Sequence, residues 1–310
     1  RRGVNLVAFV ALGQGSAGNS AAPTKASKVA FILLAPGMIY LGLFFLTPLV
    51  SLVITSLKTA SFTGEIGMYD YAFQVSNYAY ALEQYLPQIT RSFLYALVAT
   101  FMALLISYPI AYFIGVKART KPVLQAFLLT LVIAPFFISF LLRTFAWKQI
   151  FSNESPATQF LQSIGVLAPD QYVIGSSFAV IAGLTYNFIP FMTLPIYTSL
   201  ERLDTRLVEA GSDLYATPAQ TFWKVTFPLS LPGVISGTLL TFIPISGDYV
   251  SASRDFLGGS DTAMIGNVVE ANFFRIQDYP TASALSVMLM AAIVVLVSVY
   301  VRKSGTEELL

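Results

Sequence analysis

Six long apolar segments dominate this sequence, and they leave one architecture open. They run from Val29 to Ser56, Ser92 to Val116, Pro122 to Leu142, Ile174 to Leu200, Gly233 to Tyr249 and Thr281 to Val301. Each is long enough to cross a hydrocarbon core about 30 Å thick, which takes about 20 helical residues. A transmembrane barrel would alternate apolar and polar residues instead, so the expectation is an all-α membrane protein. Hydrophobic residues make up 55% of the 310 and charged residues 11%, against roughly a quarter charged in a soluble domain. Lipid is therefore the solvent for much of the surface. Pro36, Pro48, Pro109, Pro135, Pro190 and Pro195 fall inside these segments. Prolines survive in such helices where neighbours or a cavity satisfy the freed carbonyls. The fifth segment is the most interrupted, by Pro244, Gly247 and Asp248.

The basic residues set the expected orientation. With both termini inside, the cytoplasmic side holds Arg1, Arg2, Lys25, Lys28, Lys117, Arg119, Lys121, Arg202, Arg206, Lys224, Arg302 and Lys303. Lys58, Arg91, Arg143, Lys148, Arg254 and Arg275 stay outside, completing the 18. The clearest inside marker is the short turn 117–121. Residues 1–28 then read as a cytoplasmic tail, although the small-residue stretch Gly13–Thr24 after apolar residues 3–12 imitates a signal cleavage site. The linkers at 57–91, 143–173 and 250–280 are expected outside. The net charge of +2 gives no ground for nucleic-acid binding. Histidine and cysteine are absent, which removes thiolate and imidazole metal sites and the usual catalytic bases. The expectation is a non-enzymatic chain with no metal.

The connection between the fourth and fifth segments differs from the others. Leu203, Leu207, Ala210 and Leu214 recur at helical spacing and form an apolar stripe. Thr217-Pro218 reads as an N-cap followed by proline at the first helical position. A second short helix, from Pro218 to about Thr226, would present Phe222 and Trp223 and stop before Pro228. Helical periodicity alone fits either a docking element or a helix pair lying on the lipid surface.

The spacing of this stretch resembles the EAA loop of ABC importer permeases, whose pattern is E-A-A, three residues, G, nine residues, then I-x-L-P. Glu209-Ala210-Gly211 stands at the first element, Tyr215 at the glycine and Val225-Thr226-Phe227-Pro228 at the last. The departures are Gly211 for alanine, Tyr215 for glycine, Val225 for isoleucine and Phe227 for leucine. Tyr215 is the substantive one, because a bulky ring replaces a residue that permits positive φ. Within that superfamily the chain most resembles the spermidine/putrescine permease subunits, from about Val29 onward. The supporting stretches are Arg143-Thr-Phe-Ala-Trp147, Asn187-Phe-Ile-Pro-Phe-Met-Thr-Leu-Pro195, Gly247-Asp-Tyr-Val250 and Leu257-Gly-Gly through Met264-Ile-Gly266.

The resemblance implies a six-helix type I importer permease with its EAA loop at 201–232. It also implies pairing with a second permease subunit, docking onto an ABC ATPase dimer that binds ATP and Mg, and delivery of solute by an extracytoplasmic binding protein. Glu209, Ala210, Gly211, Asp213, Tyr215, Pro218, Phe222, Trp223 and Pro228 become the expected ATPase-coupling residues. Asp248, with Tyr249, Tyr186 and Asn187, is the expected contact for a cationic solute; the alternative for Asp248 is a cap on the Gly247 break. Arg143 and Trp147 are expected at the external interface. Permeases for iron, phosphonates and other solutes are related and remain alternatives. An ion-coupled carrier would need internal symmetry or titratable groups within several spans, and neither is evident in the sequence.

Overall fold

The computed structural model describes residues 28–61, 65–165, 168 and 172–303. The expected tail before residue 28 lies outside the described residues. The chain divides into residues 1–51 and 52–310. The helix Lys28–Leu41 passes through a π-helical turn, Gly42–Leu46, into Thr47–Ser56, which straddles that division. Five described helices are long and apolar enough to cross a membrane: Ile32–Ser56, Ser76–Thr120, Ser177–Glu201, Pro218–Ser246 and Tyr279–Arg302. Pro122–Phe137 and Phe140–Ile150, which meet at 95°, make a sixth when the bent pair is counted as one span.

Three boundaries differ from expectation. The second span begins at Ser76 rather than Ser92 and runs for 45 residues. At about 1.5 Å per residue it greatly exceeds the bilayer core. Its first turns carry Asn77, Glu83, Gln84, Gln88 and Arg91, so hydropathy conceals a stretch that helix propensity continues. The third span breaks because Ala134–Phe137 tightens into a 3₁₀ turn at Pro135 and Ile138 is extended, at φ −103° and ψ 132°. The fifth span starts at Pro218 and has no stop before Pro228. Pro228 offers no N–H to the Lys224 carbonyl, and its ring crowds that turn. The helix widens instead into a π turn over Phe222–Thr226, where the Phe227 N–H reaches the Phe222 carbonyl. The turn before Pro48 does the same through the Thr47 N–H and the Gly42 carbonyl. One short strand pair also occurs, Thr59–Ala60 against Tyr69–Asp70, in antiparallel register.

Within residues 52–310 the second, fourth and fifth spans form the core. Ala96, Ala99, Ala103 and Ala111 are fully buried on the second span and face Val180, Leu184, Met192 and Ile196 of the fourth. Small residues at this spacing let helix backbones approach where no hydrophobic effect drives association. The fifth span contributes Gly233-Val-Ile-Ser-Gly237. A Cβ on Gly233 would lie 2.5 Å from the Pro195 carbonyl, and one on Gly237 would lie 3.0 Å from the Met192 carbonyl. Glycine is what allows the two helices to touch.

Candidate functional site

The connection between the fourth and fifth spans folds into two helical pieces at a fixed angle. The first is the helix Thr205–Asp213. Leu203, just before it, is buried, whereas Leu207 and Leu214 of the same stripe are exposed, Leu214 at 81%. Glu209, Ala210 and Asp213 are exposed as well, and neither acid makes an ion pair among the described residues. The apolar stripe thus begins in the protein and continues onto an open face.

The helix ends at Tyr215, which adopts φ +57° and is 97% exposed. The Ala216 N–H returns to the Gly211 carbonyl at 3.0 Å. A left-handed residue crossed by a six-to-one hydrogen bond is a Schellman stop, normally built on glycine. Tyr215 therefore takes a backbone geometry that glycine usually supplies and adds a solvent-facing ring. The next helix starts as expected. Thr217 accepts from the Gln220 N–H at 3.3 Å, and Gln220 Oε1 accepts from the Thr217 N–H at 2.9 Å. This reciprocal capping box, with Pro218 at the first position, fixes two free amides. Thr217 reads as the cap from sequence alone, whereas its reciprocal partner Gln220 does not.

Gly211 and Thr221 set the angle between the two pieces. A Cβ on Gly211 would sit 3.1 Å from Thr221 Oγ1 and 3.2 Å from its Cγ2. Phe222 does not join the open face. Its ring packs edge-on against Tyr108 and Tyr112, both at 5.7 Å, because the π turn directs it back to the second span. Trp223, 63% exposed, remains outward, and Pro218 and Pro228 are exposed.

Two further contacts tie this region to the rest of the chain. Arg119, in the turn between the second and third spans, donates from Nη1 to the Leu203 carbonyl at 2.9 Å. Tyr197 donates to Glu201 at 2.6 Å and accepts from Gln125 Nε2 at 3.3 Å. The turn 117–121 and the 201–218 segment therefore lie at one end of the bundle. The opposite end gathers the long connections, through the Lys148 Nζ to Asp255 carbonyl bond at 2.7 Å and the Tyr69 hydroxyl to Gln277 carbonyl bond at 2.9 Å.

Asp248, Tyr249, Tyr186 and Asn187 do not converge on one point. Asp248 is buried just past the fifth span, and its Oδ1 accepts the Ser251 N–H at 2.7 Å. Burial pushes its carboxyl up to about 6, with the backbone bonds from Ser251, Ala252 and Val250 pulling the other way. This is the capping geometry, since the acid answers the loose amides of the turn after Gly247. Asn187 is also enclosed. Thr144 gives its hydroxyl proton to the Phe140 carbonyl at 3.0 Å, so it can only accept from Asn187 Nδ2, also at 3.0 Å. Arg143 is not at an interface, as expected from sequence, but 7% exposed, and it donates to the Asn187 carbonyl at 3.3 Å. The bend in the third span carries it inward. Trp147 is partly buried against Tyr186, ring to ring at 5.2 Å. Tyr186 itself lines a cleft of ≈ 520 Å³ shared by Pro109, Pro135 and Pro190, one proline from each of three spans.

Tyr249 is the open member of the set. It lines a cleft of ≈ 640 Å³ between the end of the fifth span and the sixth span, with Glu270, Phe273 and Phe274 around it. Sequence reasoning missed these three, because they lie in the 265–276 helical segment rather than in a span.

Residues 107–303 match the model of the family described as binding-protein-dependent transport system inner membrane component. The chain belongs to that family, and it is a permease subunit of an ABC importer. Among similar proteins is the spermidine/putrescine transport system permease protein PotB of Escherichia coli K12, 35% identical over 267 residues, covering 86% of this chain and 94% of that one. The PotB of Haemophilus influenzae is 32% identical over 277 residues, covering 89% and 90%. The fold is similar to that of a bacterial ABC transporter involved in import of the acidic polysaccharide alginate, with a TM-score of 0.67 at 16% identity over 89% of this chain and 95% of the other. It is similar too to the inward-facing MetNI methionine ABC transporter, with a TM-score of 0.54 at 20% identity over 71% and 94%.

Proposed function

We propose that this chain is one of two permease subunits of a polyamine importer, driven by a separate ATPase dimer that binds ATP and Mg and supplied by an extracytoplasmic binding protein. The observation that carries the coupling part is the open face of Thr205–Asp213. Leu207, Leu214 and the Tyr215 ring are exposed beside Glu209 and Asp213 on a helix whose ends are both fastened. A fixed helix with an unpartnered apolar and acidic face suits a groove in a soluble partner. Glu209 supplies a charge-assisted bond, and Trp223 adds apolar contact beside it. This end of the bundle, with Lys117, Arg119 and Lys121, faces the cytoplasm, as do both termini.

The polyamine reading rests on the PotB relatives and on the chemistry of the Tyr249 cleft. Glu270, which already faces the Arg275 guanidinium at 3.9 Å, and the Tyr249, Phe273 and Phe274 rings sit on an otherwise aliphatic groove. Aromatic faces and a carboxylate attract ammonium groups, while methylene chains prefer aliphatic walls. Asp248 serves here as the cap that shapes the mouth of this groove rather than as a solute contact.

The test is reconstitution of the chain with its neighbouring permease, ATPase and binding protein in proteoliposomes. ATP-dependent uptake of spermidine or putrescine is expected; uptake of ferric iron or a phosphonate instead would overturn the substrate assignment. In the same system Glu209→Lys is expected to lower ATPase retention about tenfold, the weight of one charge-assisted hydrogen bond. Unchanged retention would remove Glu209 from the docking face.

A further inference from the structure

We propose that Arg119 is a positioning residue for transport, yoking the coupling helix to the bent third span so that the two move together. The inference rests on the docking reading above. The coupling helix has two joints with the rest of the chain. Its far joint runs through Gly211 and Thr221 into the fifth span, to which it is continuous in sequence. Its near joint is Leu203, buried, whose carbonyl receives the Arg119 guanidinium at 2.9 Å.

Arg119 lies in the 3₁₀ turn Ala118–Thr120, three residues before the third span opens at Pro122. One turn further along, Gln125 donates to Tyr197, which donates to Glu201. The chain on either side of Pro122 is thus held at two points, by Arg119 just before the third span to the entry of the coupling helix and by Gln125 in its first turn to the end of the fourth span. The other end of the same span is also held, because Arg143 and Thr144 clasp Asn187 across the fourth span. Between these grips lies the 95° elbow at Ile138–Ser139, with Phe137 and Ile138 exposed. A rod gripped at both ends and jointed in the middle turns displacement at one grip into flexing at the joint. Hinges of this kind are a few element-terminal residues that absorb the backbone change.

Arg119 is exposed apart from this one bond. Its role is therefore separable from folding, since surface substitutions away from core features cost little stability. A positioning role needs a coupling measurement rather than spatial intermediacy. The assembled transporter, with ATPase, second permease and binding protein, is compared as wild type, Arg119→Ala and Arg119→Lys in proteoliposomes with spermidine as the probe. Three readouts are taken: ATPase retained, melting temperature, and solute imported per ATP hydrolysed. Arg119→Ala is expected to retain the ATPase and its melting temperature while solute per ATP falls about tenfold, one charge-assisted bond's worth. Arg119→Lys, which still reaches a carbonyl, recovers at least half of that loss. A ratio within twofold of wild type in Arg119→Ala overturns the proposal. So does a loss shared equally by both variants and tracked by melting temperature, which would mark Arg119 as merely structural. Failure of the wild-type chain to retain the ATPase would strike the docking reading itself, and this inference with it.

Discussion

Tyr215 offers the sharpest test of how the connection between the fourth and fifth spans is built. An L-residue in the left-handed region pays about 1–2 kcal/mol relative to its ordinary conformation. Glycine escapes that cost but loses about 0.5–1 kcal/mol more chain entropy on ordering. The ring is 97% exposed, so its removal forfeits almost no packing within this chain. Tyr215→Gly should therefore stabilise the stop by roughly 0.5–1 kcal/mol, while a β-branched Tyr215→Val should weaken it. The reporter is the Ala216 amide, whose bond to the Gly211 carbonyl exists only while Tyr215 holds φ near +57°. Local opening free energy appears directly in hydrogen exchange. Exchange of the Ala216 amide should slow about twofold to fivefold in Tyr215→Gly and quicken in Tyr215→Val. The same pair separates turn geometry from ring contact at the proposed docking face. If the ring touches the ATPase, Tyr215→Gly binds it about tenfold more weakly despite the firmer turn, a loss of about 1.4 kcal/mol. Equal exchange in all three proteins would refute the left-handed assignment. Equal ATPase affinity would remove the ring from the interface while leaving the turn argument intact.

Other outcomes follow from single positions. The Asp248 carboxyl, raised from 3.8 to about 6 by burial, holds more protons in the folded than in the unfolded chain between those two values, so its contribution to stability is full below about pH 4 and falls as pH rises to about 6. The total is about 3 kcal/mol, and Asp248→Asn, which still accepts from Ser251, should gain in melting temperature over wild type progressively from pH 4 to 6.5; a gap independent of pH would refute the buried carboxylate. Among the packing glycines, Gly233→Ala should cost about 1–3 kcal/mol by overpacking, because its Cβ meets the Pro195 carbonyl at 2.5 Å. Gly211→Ala should cost less, since it meets only the Thr221 side chain at 3.1 Å; folded yields in detergent in the reverse order would show that the helix contact is misplaced.

Hydropathy locates the six crossings because a bilayer leaves so few alternatives, yet it misplaces Arg143, and the reason is physical. Prolines in the third and fourth spans look alike in sequence, but only the third span breaks. Beside Pro190 the fourth span is buried, and Ser107 and Thr193 hydroxyls both donate to the Ile189 carbonyl. Beside Pro135 the neighbouring Phe137 and Ile138 are exposed, and the Phe136 ring packs on Phe191 at 4.9 Å, so the break is far less enclosed than the turn at Pro190. Whether a proline kinks or breaks a span thus depends on tertiary partners that no window of sequence contains. Arg143 inherits that consequence: counted along a straight helix it falls outside, but beyond a 95° elbow it turns in to meet Asn187. Asp248 was ambiguous for another reason, because a cap and a solute contact both call for a carboxylate after a helix break. In the structure the Ser251 amide three residues on bonds to it, which is the cap geometry. The connection between the fourth and fifth spans was the most legible part, since its caps are local, and even there the limit is clear. Thr217-Pro218 announces a helix start from neighbours alone, whereas Arg119 reads only as a charge marking one side of the membrane until folding brings Leu203 to it.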